Sequence, residues 1–241
     1  MLRYALISQA GNRTVNEDAV KILSVANRHC FIVCDGLGGH GLGDIASETV
    51  THALADTLFF CSDMQHFLPD GFRQAQRSVE EKQKASDTKN KMKTTAVALA
   101  TDGETAYVGF VGDSRLYAFE DNGNYVRTLD HSVPQILANS QSITEEEIRN
   151  HPSRNMLLKV IGEQFDEELC ELWTPFAIDR YAAYLLCTDG FWELINEEEM
   201  IAALRSSATP QQWLEKMESV VLRTGADRMM DNYSAIAVFT A

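Results

Sequence analysis

Short apolar runs dominate the start of the chain. LRYALIS (2–8), AVKILSV (19–25) and HCFIVC (29–34) are rich in Ile, Val, Leu and Phe and are separated by polar turns. Runs of that length and composition predict β-strands. The period changes after Asp44, where Ile45, Val50, Leu54 and Leu58 recur at helical spacing to about Phe60. A second helix is predicted over 70–87, with EEKQK on its wet face. Strands return in TTAVALAT, TAYVGFV, SRLYAFE and YVRTL. The stretch from Glu104 to Tyr125 reads as an antiparallel meander with a turn at Asp121–Gly123. Residues 131–165 are polar, with short helical segments in VPQILAN and TEEEIRN and a proline at 152. RYAAYLLCTDG is a buried strand. NEEEMIAAL opens a helix with Asn196 as N-cap and Glu199 in a capping box. TPQQWLEKMESVVLRTG is another helix, with Thr209 as cap, Pro210 at its first position and Gly225 as stop. YSAIAVFT closes the chain with a strand. There is no repeat or linker. The expectation is one compact α+β domain over 1–241, mostly antiparallel sheet with helices packed outside.

Composition narrows the function classes. Hydrophobic residues are 45% and charged residues 23%, an ordinary globular balance. A run such as YAAYLLC is far shorter than the roughly 20 apolar residues a bilayer needs. The N-terminus lacks a basic region followed by an apolar stretch, so neither a signal peptide nor membrane insertion is expected. Cys30, Cys34, Cys61, Cys170 and Cys187 form no C-x-x-C pair, and an odd count without a leader predicts the reducing cytoplasm. The net charge of −14 would repel a phosphate backbone, which argues against nucleic acid as a partner. Glu145–Glu147 and Glu197–Glu199 read as solvated surface.

The chemistry concentrates around VCDGLGGHGLGDIASE (33–48). Gly36, Gly38 and Gly41 fit the G-x-G-x-x-G spacing of a nucleotide loop. A phosphate cradle wants a helix N-terminus and no nearby anion. Here Asp35 stands at the mouth, no G-K-[ST] follows, and the next segment after the helix is another helix. Three more aspartates share the setting of Asp35. Asp113 follows YVGFVG, Asp189 follows YAAYLLCT and Asp231 precedes YSAIAVFT. A single aspartate at a strand end is usually a turn former. Four that met at one rim would repel one another unless a cation neutralised them. Oxygen ligands without a His/Cys cluster select Mg2+ or Mn2+. Glycines next to Asp35 would let the backbone approach such a metal, with a carbonyl free to ligate it.

Seven motifs in order resemble the metal-dependent Ser/Thr phosphatases of the protein phosphatase 2C family in its bacterial form. They are GNRTVNEDA (11–19), DGLGGHGLGDIAS (35–47), KTTAVAL (93–99), GDSRLY (112–117), LDHS with ITEEEIRNHPSRNMLLKVIG, LLCTDGFWE (185–193) and DNYSAIAV (231–238). The resemblance implies a central antiparallel β-sandwich flanked by helices on both sides, with a flap subdomain at about 134–160. It implies two metal ions at one end. Asp35 would bridge them, and Asp189 and Asp231 would complete the first metal's shell. The Gly36 carbonyl would serve the second, with Glu17 and Asp18 holding its waters. Asp113, with Asp189, would form a weaker third site. Arg13 would grip the substrate phosphate, and Asn232 would orient Asp231 or a water. Two close cations make a shared water acidic enough to attack phosphorus as a bridging hydroxide near neutral pH.

Some positions depart from the family pattern. Leu37 stands where some relatives have a histidine proposed as general acid; His40 is a candidate, and a plain hydrogen bond to a carboxylate is its bland alternative. Lys93 replaces a common glycine, and RTGADRMMDN is longer than the usual turn before the last Asp-Asn. His131 and Ser132 read as a structural turn, and Trp173, Trp192 and Trp213 as packing residues. The expected partners are phosphorylated proteins and a bacterial Ser/Thr kinase, with the protein itself a monomer. The form DHSVPQIL is similar to phosphatases of type VI secretion control. The alternative is a non-catalytic phosphoprotein-binding module on the same fold; a metal-dependent nuclease is disfavoured by the charge.

Overall fold

From Cys30 to Cys34 every side chain is fully buried. A strand with no exposed face must be covered on both sides, and this requirement sets the architecture. The computed structural model describes residues 2–38, 42–88, 91–164 and 169–240.

Along the chain run β1 (Arg3–Gln9), β2 (Ala19–Val25), β3 (Arg28–Cys34), β4 (Gly36–Leu37), α1 (Gly43–Phe60), α2 (Met64–Ala85), β5 (Lys93–Thr94), β6 (Ala96–Thr101) and β7 (Thr105–Val111). Next come β8 (Arg115–Phe119), β9 (Tyr125–Arg127), α3 (Val133–Asn139), α4 (Glu145–Ile148), β10 (Glu171–Leu172) and β11 (Phe176–Ala177). The last elements are β12 (Ala183–Cys187), α5 (Asp189–Trp192), α6 (Glu197–Arg205), α7 (Pro210–Gly225) and β13 (Tyr233–Phe239). One large sheet has the order β1-β13-β12-β8-β9, a second the order β10-β7-β6-β3-β2 with β11 also on β7, and β4 and β5 form a small two-stranded sheet. All pairings are antiparallel.

Alternation along each strand divides the core into three. Phe31 and Val33 of β3 meet Leu116, Leu186, Ile236 and Val238 between the sheets. Cys30, Ile32 and Cys34 point the other way, onto Val50, Leu54, Phe67 and Phe72 of α1 and α2. On the far side Leu185, Ala235 and Ala237 pack on Trp213, Leu214 and Met217 of α7. The layers are helix, sheet, sheet, helix, as expected. Full burial of each large side chain stabilises by about 1.5–3 kcal/mol.

The foreseen caps form. Asn196 and Glu199 make a reciprocal capping box on α6, and the Thr209 hydroxyl accepts from the Gln212 N–H on α7. Two expectations need correction. The second helix begins at Met64, not 70, because the Asp63 carboxylate caps it by accepting from the Gln65 N–H at 2.9 Å. Pro69 lies inside that helix, where Phe67, Leu68 and Phe72 are buried; packing outweighs the local penalty of proline. The meander also fails. β7 and β8 belong to different sheets, and only β8 and β9 form a hairpin. Between them Gly112 turns the chain at φ +96°, where a Cβ would meet the Thr95 side chain at 2.6 Å. The Gly112 N–H donates to His131 Nδ1 at 3.1 Å, and its carbonyl accepts from the His131 N–H at 2.9 Å. His131 is thus a structural clasp, and Ser132 is the N-cap of α3.

Candidate active site

Topology brings the four aspartates to one rim. β3 and β7 both pair antiparallel with β6 between them, so they run the same way and end at the same edge. That edge carries Asp35 and Asp113. β12 and β13 are antiparallel neighbours, so the end of one, before Asp189, lies beside the start of the other, after Asp231. Stacking the sheets joins the two edges, and the Asp35 and Asp189 carboxylates come within hydrogen-bond contact.

The backbone at Asp35 is fixed by the central TT pair. Its N–H donates to Thr95 Oγ1 at 3.1 Å, and its carbonyl accepts from the Thr95 N–H at 2.9 Å and from the Thr94 hydroxyl at 2.8 Å. Thr95 Oγ1 also meets Ser114 Oγ at 2.7 Å, tying the Asp35 corner to the Asp113 corner. Gly36 is buried against Glu17 and Gly43, and a Cβ there would lie 2.4 Å from the Glu17 carbonyl. Trp192 donates from Nε1 to the Asp113 carbonyl at 3.0 Å. The Arg115 guanidinium covers the Trp192 ring at 3.4 Å and forms a buried bidentate pair with Asp130 at 2.8 and 2.7 Å.

The side chains carry more negative charge than their surroundings neutralise. Burial, followed by the Asp189, Asp18 and Asp113 carboxylates, holds the Asp35 carboxyl well above the ordinary range. Burial and then Asp189 do the same to Asp113, and burial raises Asp189. Burial pushes Asp18 up to about 7, against hydrogen bonds from Ser234 and Thr188. Burial also raises Glu17, which the Gly43 N–H partly offsets.

Arg13 reaches Asp231 with a 2.7 Å ion pair at the mouth, where the two side chains are 59% and 48% exposed. Asn232 is buried and uses its whole amide on the loop that carries Arg13 and Glu17. Its Oδ1 accepts from the Glu17 N–H at 2.9 Å, and its Nδ2 donates to the Ala10 and Val15 carbonyls at 2.9 and 3.0 Å. The work expected of this side chain on Asp231 falls instead to the backbone, whose N–H donates to Asp231 Oδ1 at 2.9 Å.

Several residues at the rim escaped the sequence reading. The Thr188 hydroxyl donates to Asp18 Oδ2 at 3.0 Å. Glu193 pairs with Arg154 at 2.8 Å, and burial with the nearby Asp189 charge pushes it up to about 7. Arg149, just past α4, donates to the Trp192 and Ile195 carbonyls and to both Glu197 oxygens. Thr188 lies inside the quoted motif LLCTDGFWE, so its position was the available signal. His40 and Gly41 lie outside the described residues.

The donor set suits a hard divalent cation. Asp18 Oδ1 is buried with no hydrogen-bond partner, and three further carboxylates crowd it or one another. Among the described residues, no three His, Cys, Asp or Glu side chains already close on one point as ligands. The carboxylates of Asp35, Asp18, Asp113 and Asp189 nonetheless lie close enough for their repulsion to raise the pKa of the first three.

Comparison with known proteins identifies the family and the fold. The family model of protein phosphatase 2C matches residues 8–232. The chain is 28% identical over 218 residues to the serine/threonine phosphatase stp of Listeria monocytogenes, covering 88% of this chain and 84% of that one. It is similar in structure to the catalytic domain of the serine/threonine phosphatase PstP in complex with two manganese ions, with a TM-score of 0.83 and 26% identity over 99% of this chain and 97% of that one. PppA of Pseudomonas aeruginosa, described as a key regulatory component of the type VI secretion system, gives a TM-score of 0.75 and 28% identity over 99% of this chain and 97% of that one. The chain belongs to the protein phosphatase 2C family, a class of protein-serine/threonine phosphatases.

Proposed function

We propose that the protein removes phosphate from phosphoserine and phosphothreonine in proteins, with two Mn2+ or Mg2+ ions at the strand-end rim. The observation that carries this reading is the meeting of Asp35, Asp113 and Asp189, with Asp231 and Arg13 at the mouth. Asp35 would bridge the two ions, Asp189 and Asp231 would hold the first, and the Gly36 carbonyl the second. Glu17 and Asp18 would hold water around it, and Asp113 would contribute to a weaker third site. Bound divalent cations supply a water acidic enough to attack phosphorus near neutral pH.

The chain's own residues do the rest. Arg13 is held by one exposed ion pair, a contact worth at most about 1 kcal/mol. The guanidinium can therefore transfer to two phosphoryl oxygens, where its fork geometry fits. Held at the mouth and aimed at the phosphoryl oxygens, that fork would stabilise the charge that builds as the leaving alkoxide departs. Ser132 caps a helix, so it is not a nucleophile paired with His131, and a phosphoenzyme is not invoked.

Hydrolysis of p-nitrophenyl phosphate with Mn2+, compared with EDTA and with Asp35→Ala, tests the proposal. Well-folded protein without metal-dependent turnover would overturn it. The likeness to PppA supports a role in type VI secretion control, where a protein phosphatase would oppose a bacterial Ser/Thr kinase. Phosphoproteomics of a deletion strain checks that, and an unchanged secretion apparatus counts against it. Among the described residues no helix is long and apolar enough to cross a membrane. A cytoplasmic monomer acting on phosphoproteins is the reading we carry forward.

A further inference from the structure

The loop between α7 and β13 does more than deliver Asp231. Its backbone is clamped to the Arg13 loop by two bonds. The Asn12 N–H donates to the Met230 carbonyl at 3.0 Å, and the Met230 N–H donates to Asn12 Oδ1 at 2.9 Å. Met230 turns inward, 9% exposed, and packs against Gly225, where a Cβ would meet its sulfur at 2.6 Å. With Met230 fixed inward, Met229 is driven outward and is 84% exposed. Val15 is 52% exposed on the facing loop, whose backbone Asn232 holds through the Val15 carbonyl. Val15 stands two residues after Arg13, and Met229 two residues before Asp231. Arg13 and Asp231 touch. Two exposed apolar residues thus stand two positions along the chain from either member of that ion pair, on loops tied to each other by hydrogen bonds.

We propose that Met229 and Val15 form an apolar lip that receives a hydrophobic side chain adjacent to the phosphoserine or phosphothreonine of the substrate. The inference rests on the phosphatase reading and adds a substrate class to it. A phosphate gripped at Arg13 would bring a neighbouring peptide residue within reach of Val15 and Met229, each two positions from a member of the ion pair. An unbranched thioether adapts to varied apolar shapes, so the lip selects hydrophobic character rather than one residue.

The test uses phosphothreonine pentapeptides that carry Leu or Ser beside the phosphoresidue, on each side in turn. Wild type should favour one Leu peptide over its Ser counterpart about tenfold in kcat/KM. Met229→Ser should bring that ratio close to one by raising KM for the Leu peptide, and Met229→Leu should keep it. A ratio near one in wild type, or an unchanged ratio in Met229→Ser, overturns the lip. Failure of wild type to hydrolyse even p-nitrophenyl phosphate overturns the phosphatase reading itself. Hydrolysis of that small ester without peptide preference overturns the lip alone.

Discussion

Replacing Asp18 by Asn should make the metal-free protein more stable, although Asp18 lies in the candidate site. Its carboxyl is moved from an ordinary 3.8 to about 7 by burial and by the Asp189 and Asp231 charges. Holding it ionised in the folded state therefore costs about 4 kcal/mol, a cost that belongs to the coupled cluster rather than to one residue. The amide keeps an acceptor for the Thr188 hydroxyl, but its NH2 must also be desolvated, which returns about half the gain. The net expectation is about 2 kcal/mol, or a Tm rise of about 4–8 °C for a chain of this size. The sign follows from the direction of the shift. A carboxyl raised in the folded state destabilises fully above about pH 7, and the penalty fades as pH falls towards the unfolded value near 3.8. At pH 5.5 about half of it, about 2 kcal/mol, remains, and the pH-independent cost of desolvating the amide cancels that, so the advantage of Asp18→Asn should all but vanish. Thermal melting in EDTA near pH 8 and near pH 5.5 reads both effects. The reasoning fails if the variant melts at or below wild type near pH 8, or if its advantage is as large near pH 5.5.

Mn2+ at about 100 times its Kd should stabilise wild type by about 3 kcal/mol near pH 8, and less near pH 5.5, where protons compete for the carboxylates; calorimetry on Asp35→Ala should show the stabilisation lost. Arg13→Ala should lower kcat/KM at least about a hundredfold and leave Tm almost unchanged, since the pair it breaks is exposed. Asn232→Ala strands the Glu17 N–H and two carbonyls, so denaturant melts should show a loss of about 2–4 kcal/mol with reduced turnover. Arg115→Ala leaves Asp130 buried without its bidentate partner, and urea unfolding should register about 3–5 kcal/mol.

Local pattern was a good guide wherever one residue type decides a local geometry. The capping box at Asn196, the Thr209 cap, the Pro210 start and the buried strands are of this kind, because hydrogen bonds three residues apart and a two-residue side-chain period are written in the chain. Pattern was a poor guide where distant segments compete. An alternating run reads the same whether the next strand pairs beside it or crosses to the opposite sheet, so the crossing at Gly112 was not visible. Likewise the pattern over 70–87 gave no sign that the Asp63 cap and the burial of Phe67 and Phe72 extend α2 back to Met64.

The candidate site divides along the same line. Part of its inventory was legible: four aspartates at strand ends and glycines beside Asp35 point to hard cations, while Arg13 and a phosphoryl group came only with the family resemblance. What the sequence could not state was who touches whom. That Arg13 pairs with Asp231, that Asn232 serves the opposite loop, and that Trp192 braces Asp113 are consequences of sheet order and stacking. Residue type fixes what a side chain can do, since charge and hydrogen-bonding capacity are covalent properties. Proximity, desolvation and the mutual repulsion that calls for a cation arise only when strands far apart in the chain end at a common edge.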